Sequence, residues 1–277
     1  MDKATVFGLV VGISSLFLSI GIESGIGGVK ALFNIPALII VFGGTIGATM
    51  IGYAMRDLSS IGNLFRVAFV PRKSDREKTL RLLVGFAETA RREGLLSLEE
   101  KLEGLDNKFL EKGIRLIVDG TDPELIRSML ETELSLVEQR HKSRAGIFEA
   151  AGGFAPTMGI IGTVMGLVNA LGAMADVSEL SKSIASAFTA TFYGVSTANL
   201  IWLPLAAKLK RVSHDEIIEG EMMLEGMLSI LHGENPRIIE EKLMVFLEPE
   251  QRRKLKTGDA VTQAEETLYA EQKTARV

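Results

Sequence analysis

Four long apolar stretches constrain this chain more than any other feature. They run roughly over Ala4–Gly21, Ala31–Met55, Gly146–Ala175 and Ile184–Ala207. Each reaches the ~18–20 residues that a helix needs to cross a hydrocarbon core about 30 Å thick. Lipid offers no partner to a backbone amide or carbonyl, so only helices and closed barrels span it. No strand pattern and no internal repeat occurs in the sequence. The mean hydropathy is +0.23 although 24% of residues are charged, because the charges lie in blocks of their own. The expectation is an all-α membrane protein with four transmembrane helices. Its large helical cytoplasmic domain is formed by the loop between spans two and three together with the C-terminal helices. The first block has only Lys3 before it and no A-x-A site near its end, so it reads as a retained span rather than a cleaved leader.

The basic residues set the orientation. The short 22–30 and 176–183 loops carry only Lys30 and Lys182. The 56–145 segment has Arg56, Arg66, Arg72, Lys73, Arg76 and Lys78 at one end and Arg140, Lys142 and Arg144 at the other, and Lys208, Lys210 and Arg211 follow the fourth block. Both termini and the long loop are therefore expected in the cytoplasm. A net charge of −4 gives no case for a nucleic-acid partner, and the absence of cysteine excludes disulfides and thiolate metal sites.

The organisation expected is 1–56 for the first two spans, 57–145 for a helical loop, 146–208 for the third and fourth spans, 209–250 for C-terminal helices and 251–277 for a polar, disordered tail. Within the loop, Ser74–Glu93 carries Leu80, Leu83, Val84 and Ala87 at helical spacing, with Gly94 suited to end it. Ser97 and Glu100 have the spacing of a capping box for a helix over SLEEKLEGL. Asp122-Pro123-Glu124 reads as a cap, with a helix that could run through Arg144 into the third span. His214–His232 is amphipathic through Ile217, Ile218, Met223, Leu224, Met227, Leu228 and Leu231, and Pro236–Leu247 gives one more helix.

Chemically the spans are unusual. Apart from Glu149 near the start of the third block, they hold no Asp, Glu, Lys, Arg or His, whereas proton-carrying membrane proteins usually keep an ionisable group there. Either the chain conducts nothing or a second subunit brings the carboxylate. Residues 152–171, GGFAPTMGIIGTVMGLVNAL, instead place Pro156, Thr157, Thr163 and several glycines in a span, and the fourth block adds Ser186, Thr189, Thr191, Tyr193, Ser196, Thr197 and Asn199. Pro156 and Pro204 each withhold an amide and free a carbonyl. Hydroxyls and free carbonyls suit a hard cation, but prolines also kink helices, and hydroxyls also bond their own helix; the chemistry alone leaves both readings open. Gly8-x-x-x-Gly12, Gly43-x-x-x-Gly47 and Gly162-x-x-x-Gly166 permit close helix packing, within one chain or between copies. The three histidines are scattered and no enzyme constellation is present.

APTMGIIGTVMGLVNAL and TATFYGVSTANLIWLPLAAKLK resemble the third and fourth spans of MotA/PomA flagellar stator subunits, and RREGLLSLEEKLE resembles the loop motif of that family. The more distant TolQ/ExbB relatives, which energise envelope-spanning proteins and are the alternative, lack the loop stretch. The resemblance implies five copies around two MotB/PomB-like single-span subunits in the bacterial inner membrane. The partner supplies the carboxylate, and ion flow drives the ring against the rotor protein FliG. It implies an ion path at Pro156, Thr157, Thr163, Thr191, Tyr193 and Pro204, and rotor contact at Arg91 and Glu99. It implies no resident cofactor: the transported ion is Na+ or H+. Thr163 and Thr191 match threonines of sodium-type members, and an oxygen-rich lining suits a dehydrated cation, so transient sodium at Thr163 and Thr191 is favoured over a proton. Bottom-up, Arg91 and Glu99 are also explained as dipole-compatible charges ending one helix and starting the next.

Overall fold

The computed structural model describes residues 2–70, 75–102 and 104–255. It is helical throughout, with no strand among the described residues. Two compact units emerge. One comprises the described residues of Met1–Arg72 with Glu138–His214, the other those of Lys73–Val137 with Asp215–Val277.

The first unit starts with α1 (Lys3–Ala31), capped by Asp2, whose carboxylate accepts from the Ala4 amide. The expected 22–30 loop is instead helix, kinked at Gly25, whose φ of +62° and ψ of −162° suit only glycine. Asn34 caps α2 (Ile35–Leu38), which passes through a π turn (Ile39–Gly43) into α3 (Gly44–Gly52). Ala37, Val41, Thr45 and Thr49, four apart, form the buried line of this run. After the short α4 (Met55–Leu58) comes α5 (Ile61–Phe69). It buries Leu64 and Ala68 on one side while Asn63 and Arg66 stay exposed. Its Phe65 meets Phe148 edge to face at 5.3 Å, beside Ala145, Leu205, Ala206 and Leu209. Residues 57–70 and 138–145 thus pack with the spans rather than with the loop domain that the sequence reading assigned them to.

A single helix, α8, runs over Pro123–Gly172. Asp122 caps it, accepting from the Glu124 and Leu125 amides, and it continues without a break into the third apolar block, as the start signal suggested. α9 (Val177–Thr197) is capped by Asp176, so residues 177–183 of the second expected outer loop are helical too. α9 passes through a π turn (Ala198–Trp202) into α10 (Leu203–Leu231). Pro204 explains that turn. It has no amide for the Leu200 carbonyl, and its ring crowds that carbonyl, so the ladder widens just before it.

Among the described residues, three segments are long and apolar enough to cross a membrane: Lys3–Glu23, Ile35–Gly52 and part of Pro123–Gly172. The fourth block is divided among α9, the π turn and α10, and its hydroxyls dilute its hydropathy.

In the second unit, α6 (Arg76–Glu93), α7 (Lys108–Val118), the start of α8, the end of α10 and α11 (Pro236–Met244) surround one core. Leu83, Ile114, Ile126, Leu130, Met222, Met227, Ile239 and Leu243 are fully buried there. The amphipathic reading of 214–232 missed Met222 and Ile230, because the end of α10 is buried nearly all round rather than along one stripe. Arg76 bonds the Asp215 carboxylate at 2.9 Å and the Phe246 carbonyl at 3.3 Å. Gly94 ends α6 with φ +88°, its amide on the Ala90 carbonyl at 2.9 Å.

Two expectations are corrected here. The Ser97/Glu100 capping box does not form. Leu95–Lys101 is a 3-10 helix, and the Ser97 hydroxyl donates to the Gly94 carbonyl at 2.7 Å. Leu98, completely buried, and Lys101, bonded to the Thr89 hydroxyl at 2.6 Å, hold the tight turn down. Residues 249–255 are helical with Leu255 in the core, so the polar tail does not begin at Gln251. Residues 256–277, and Arg72, Lys73 and Ser74 of the loop reading, lie outside the described residues.

Candidate functional site

The site is built on the crossing of α8 and α9, where backbone meets backbone. A Cβ added at Gly194 would lie 2.5 Å from the Ala155 carbonyl oxygen and 3.2 Å from the Pro156 Cα; one at Gly159 would lie 2.9 Å from the Ala190 oxygen; one at Gly166 would lie 2.7 Å from the Ala187 Cβ. The rows Gly159, Gly162, Gly166 and Ala187, Ala190, Gly194 therefore interlock. Gly162-x-x-x-Gly166 serves packing within the chain. Gly12 faces Leu200, whereas Gly8, Gly43 and Gly47 have nothing among the described residues within 4 Å of an added Cβ.

This close approach brings two hydroxyls together from positions 28 residues apart. Thr163 and Thr191 share a short hydrogen bond across the crossing. The Thr163 Oγ1 is also 3.0 Å from the Gly159 carbonyl oxygen and 3.1 Å from the Ala187 carbonyl oxygen. Two hydroxyl and two carbonyl oxygens thus gather at one half-buried point. Only hard oxygen ligands are present, the donor set that suits an alkali cation or a hydrogen-bonded relay.

The other hydroxyls behave differently. Thr189, Thr197 and Thr157 each return their proton to their own helix, on Ala185 at 2.8 Å, Tyr193 at 2.7 Å and Phe154 at 2.7 Å. Asn199 does likewise on Val195 at 2.9 Å. The Tyr193 hydroxyl donates to the Leu32 carbonyl and receives the Asn34 amide at 3.4 Å. It latches α9 to the connector after α1. Pro156 lies against Gly194 at the crossing, seven residues before Thr163 on the same helix, while Pro204 is exposed beyond the π turn.

The sequence reading passed over Gly159, Ala187, Ala190 and Gly194, whose signal is a run of small residues three and four apart on each helix. It also passed over Thr45, 1% exposed, whose Oγ1 has no hydrogen-bond partner among the described residues. Glu149, at the entrance of the third block, is not a bare carboxylate: Lys210 pairs with it at 2.5 Å.

In the second unit Arg91 is exposed in the last turn of α6 and Glu99 is exposed in the 3-10 helix. Glu99 does not open an α-helix, so the dipole rationale read from the sequence does not apply to it.

The profile of the MotA/TolQ/ExbB proton channel family matches residues 101–222. Motility protein A of Bacillus subtilis is 39% identical over 92% of this chain and 94% of its own length. The chain belongs to the MotA stator-subunit family. The structure of the flagellar MotAB stator complex from Bacillus subtilis contains a chain that superposes with a TM-score of 0.85 at 38% identity, covering 92% of this chain and 99% of that one. Chemotaxis protein PomA of Vibrio alginolyticus is 32% identical over 89% of this chain and 96% of its own. The family consists of ion-channel subunits, not enzymes.

Proposed function

We propose that this chain forms the torque-generating ring of a flagellar stator. Five copies surround two MotB-like single-span partners in the bacterial inner membrane, through four spans per copy, with both termini in the cytoplasm. The partner contributes the intramembrane carboxylate that the uncharged α8–α9 crossing lacks. The ion passes between that carboxylate and the crossing, and the loop domain delivers torque to FliG through Arg91 and Glu99.

The observation that carries the reading is the meeting of Thr163 and Thr191 with the Gly159 and Ala187 carbonyl oxygens. A dehydrated sodium ion takes several such oxygens at once, whereas a proton needs only a carboxylate and a water chain. Sodium is therefore the cargo, held in passing by the two threonines. Pro156 keeps α8 close to Gly194 and leaves the Gly152 carbonyl without its helical donor. The π turn before Pro204 gives the other helix a point of give beside the path.

With this chain as the only stator, swimming speed rises with external sodium and survives a protonophore. Speed that ignores sodium and collapses with the protonophore assigns the path to protons.

A further inference from the structure

The 3-10 helix Leu95–Lys101 sorts its side chains by threes, since residues i and i+3 eclipse. Leu95 and Leu98 turn into the core. Leu96 turns out. At 72% it is the most exposed large apolar side chain of the second unit among the described residues, and Glu99 shares its outward face. A single exposed leucine is ordinarily of no account. Two features set this one apart. Its turn is held at four points: the Gly94 amide on Ala90, the Ser97 hydroxyl on Gly94, the Lys101 ammonium on Thr89 and the buried Leu98. Its charged neighbours are also unspent. Arg92 pairs with Glu88, but Arg91, Glu99 and Glu100 form no ion pair among the described residues.

An apolar side chain presented on a rigid turn loses little entropy when it is covered. Ringed by charges that exclude water once paired, it has the make-up of an interface hot spot. We propose that Leu96 is the apolar anchor of the rotor-facing surface. It seats in an apolar notch on the rotor protein that offers an anion toward Arg91 and a cation toward Glu99 and Glu100. The inference rests on the rotor-contact reading above and adds to it a contact made by burial rather than by charge. Charge pairs steer and orient the encounter, while the leucine sets how long each engagement lasts.

The test uses the full chain with its single-span partner, carrying Leu96→Ala, Leu96→Asp or Leu96→Met, with Arg91→Glu and Glu99→Lys alongside. Stall torque per stator is read from tethered beads. The thermal midpoint of the purified complex and ion leak through the reconstituted complex are read in parallel. Loss of an anchor weakens rotor binding by about tenfold or more, so Leu96→Asp loses most of its stall torque, Leu96→Ala loses part and Leu96→Met keeps it, with midpoint and leak unchanged. Full torque in Leu96→Ala and Leu96→Asp, beside a loss in Arg91→Glu, overturns the anchor and leaves the rotor reading standing. Full torque in all the variants removes both. Torque that falls only in step with the thermal midpoint makes Leu96 a structural residue and also overturns the proposal.

Discussion

At the residue scale, Thr163 and Thr191 meet across the α8–α9 crossing, and Gly194 is what lets the two helices touch there. Thr191→Ala removes one oxygen of the four and leaves the crossing intact. The expected result is a steep loss of motility at low sodium, partly recovered at high sodium, read as speed in a sodium titration. Gly194→Ala acts differently. Its Cβ meets the Ala155 carbonyl and the Gly159 and Pro156 α-carbons, all backbone atoms that cannot step aside. Overpacking of this kind costs about 1–3 kcal/mol. The thermal midpoint of the purified chain should drop, whereas Gly8→Ala, with open space around it, should leave it unchanged.

Asp2 offers a pH test. Its carboxylate is held below its ordinary 3.8 first by the Lys208 ammonium and then by the Ala4 amide and Thr5 hydroxyl, against partial burial, which raises it. A depressed carboxylate stabilises the fold above its unfolded pKa, and the contribution disappears as pH falls through the folded value. Wild type should therefore exceed Asp2→Asn in thermal midpoint at neutral pH. The gap should close as the pH is taken below 3.8.

At the scale of elements, helices with a strong start signal and an apolar run were legible. Asp122 announces α8, and its truncation to alanine should cost about 1 kcal/mol in denaturant unfolding. The RREGLLSLEE stretch was legible as motif but not as structure. Its Ser and Glu have the spacing of a capping box, yet the segment is a 3-10 turn because burying Leu98 outweighs one cap. Leu98→Ala should therefore cost about 2–5 kcal/mol, while Ser97→Ala, which gives up one hydroxyl bond to the Gly94 carbonyl, costs at most about 1 kcal/mol. A large effect of Ser97→Ala would restore the capping box. The two π turns were not foreseen. Pro204 accounts for one, and the cause of the turn at Ile39–Gly43 is not evident from its residues.

At the scale of the whole molecule, residues 150–175 and 184–207 hold hydroxyls but no Asp or Glu, so the proposed function makes this chain half of a route. Purified alone in liposomes it should hold a sodium gradient. Reconstituted with its cognate single-span partner, freed of any segment that blocks the path, it should dissipate the gradient, as fluorescent sodium uptake would report. A leak from the chain alone, or a tight vesicle with both subunits, would contradict the division of labour.

The sequence by itself determined the all-helical class, the apolar blocks, the caps at Asp122 and Gly94 and the Gly162-x-x-x-Gly166 pair. These follow from short-range rules, in which a residue's own preference and its neighbours three or four places away decide the outcome. Only the tertiary structure decided which hydroxyls meet across helices. Thr189, Thr197 and Thr191 look alike in the chain, but the first two close onto their own helix while Thr191 meets Thr163. Tyr193, read with the ion path, spends its hydroxyl on the Leu32 carbonyl 161 residues away. The register of α8 on α9 selects among them, and that register is set by glycine backbones touching over a few ångströms, a distance that no local pattern encodes.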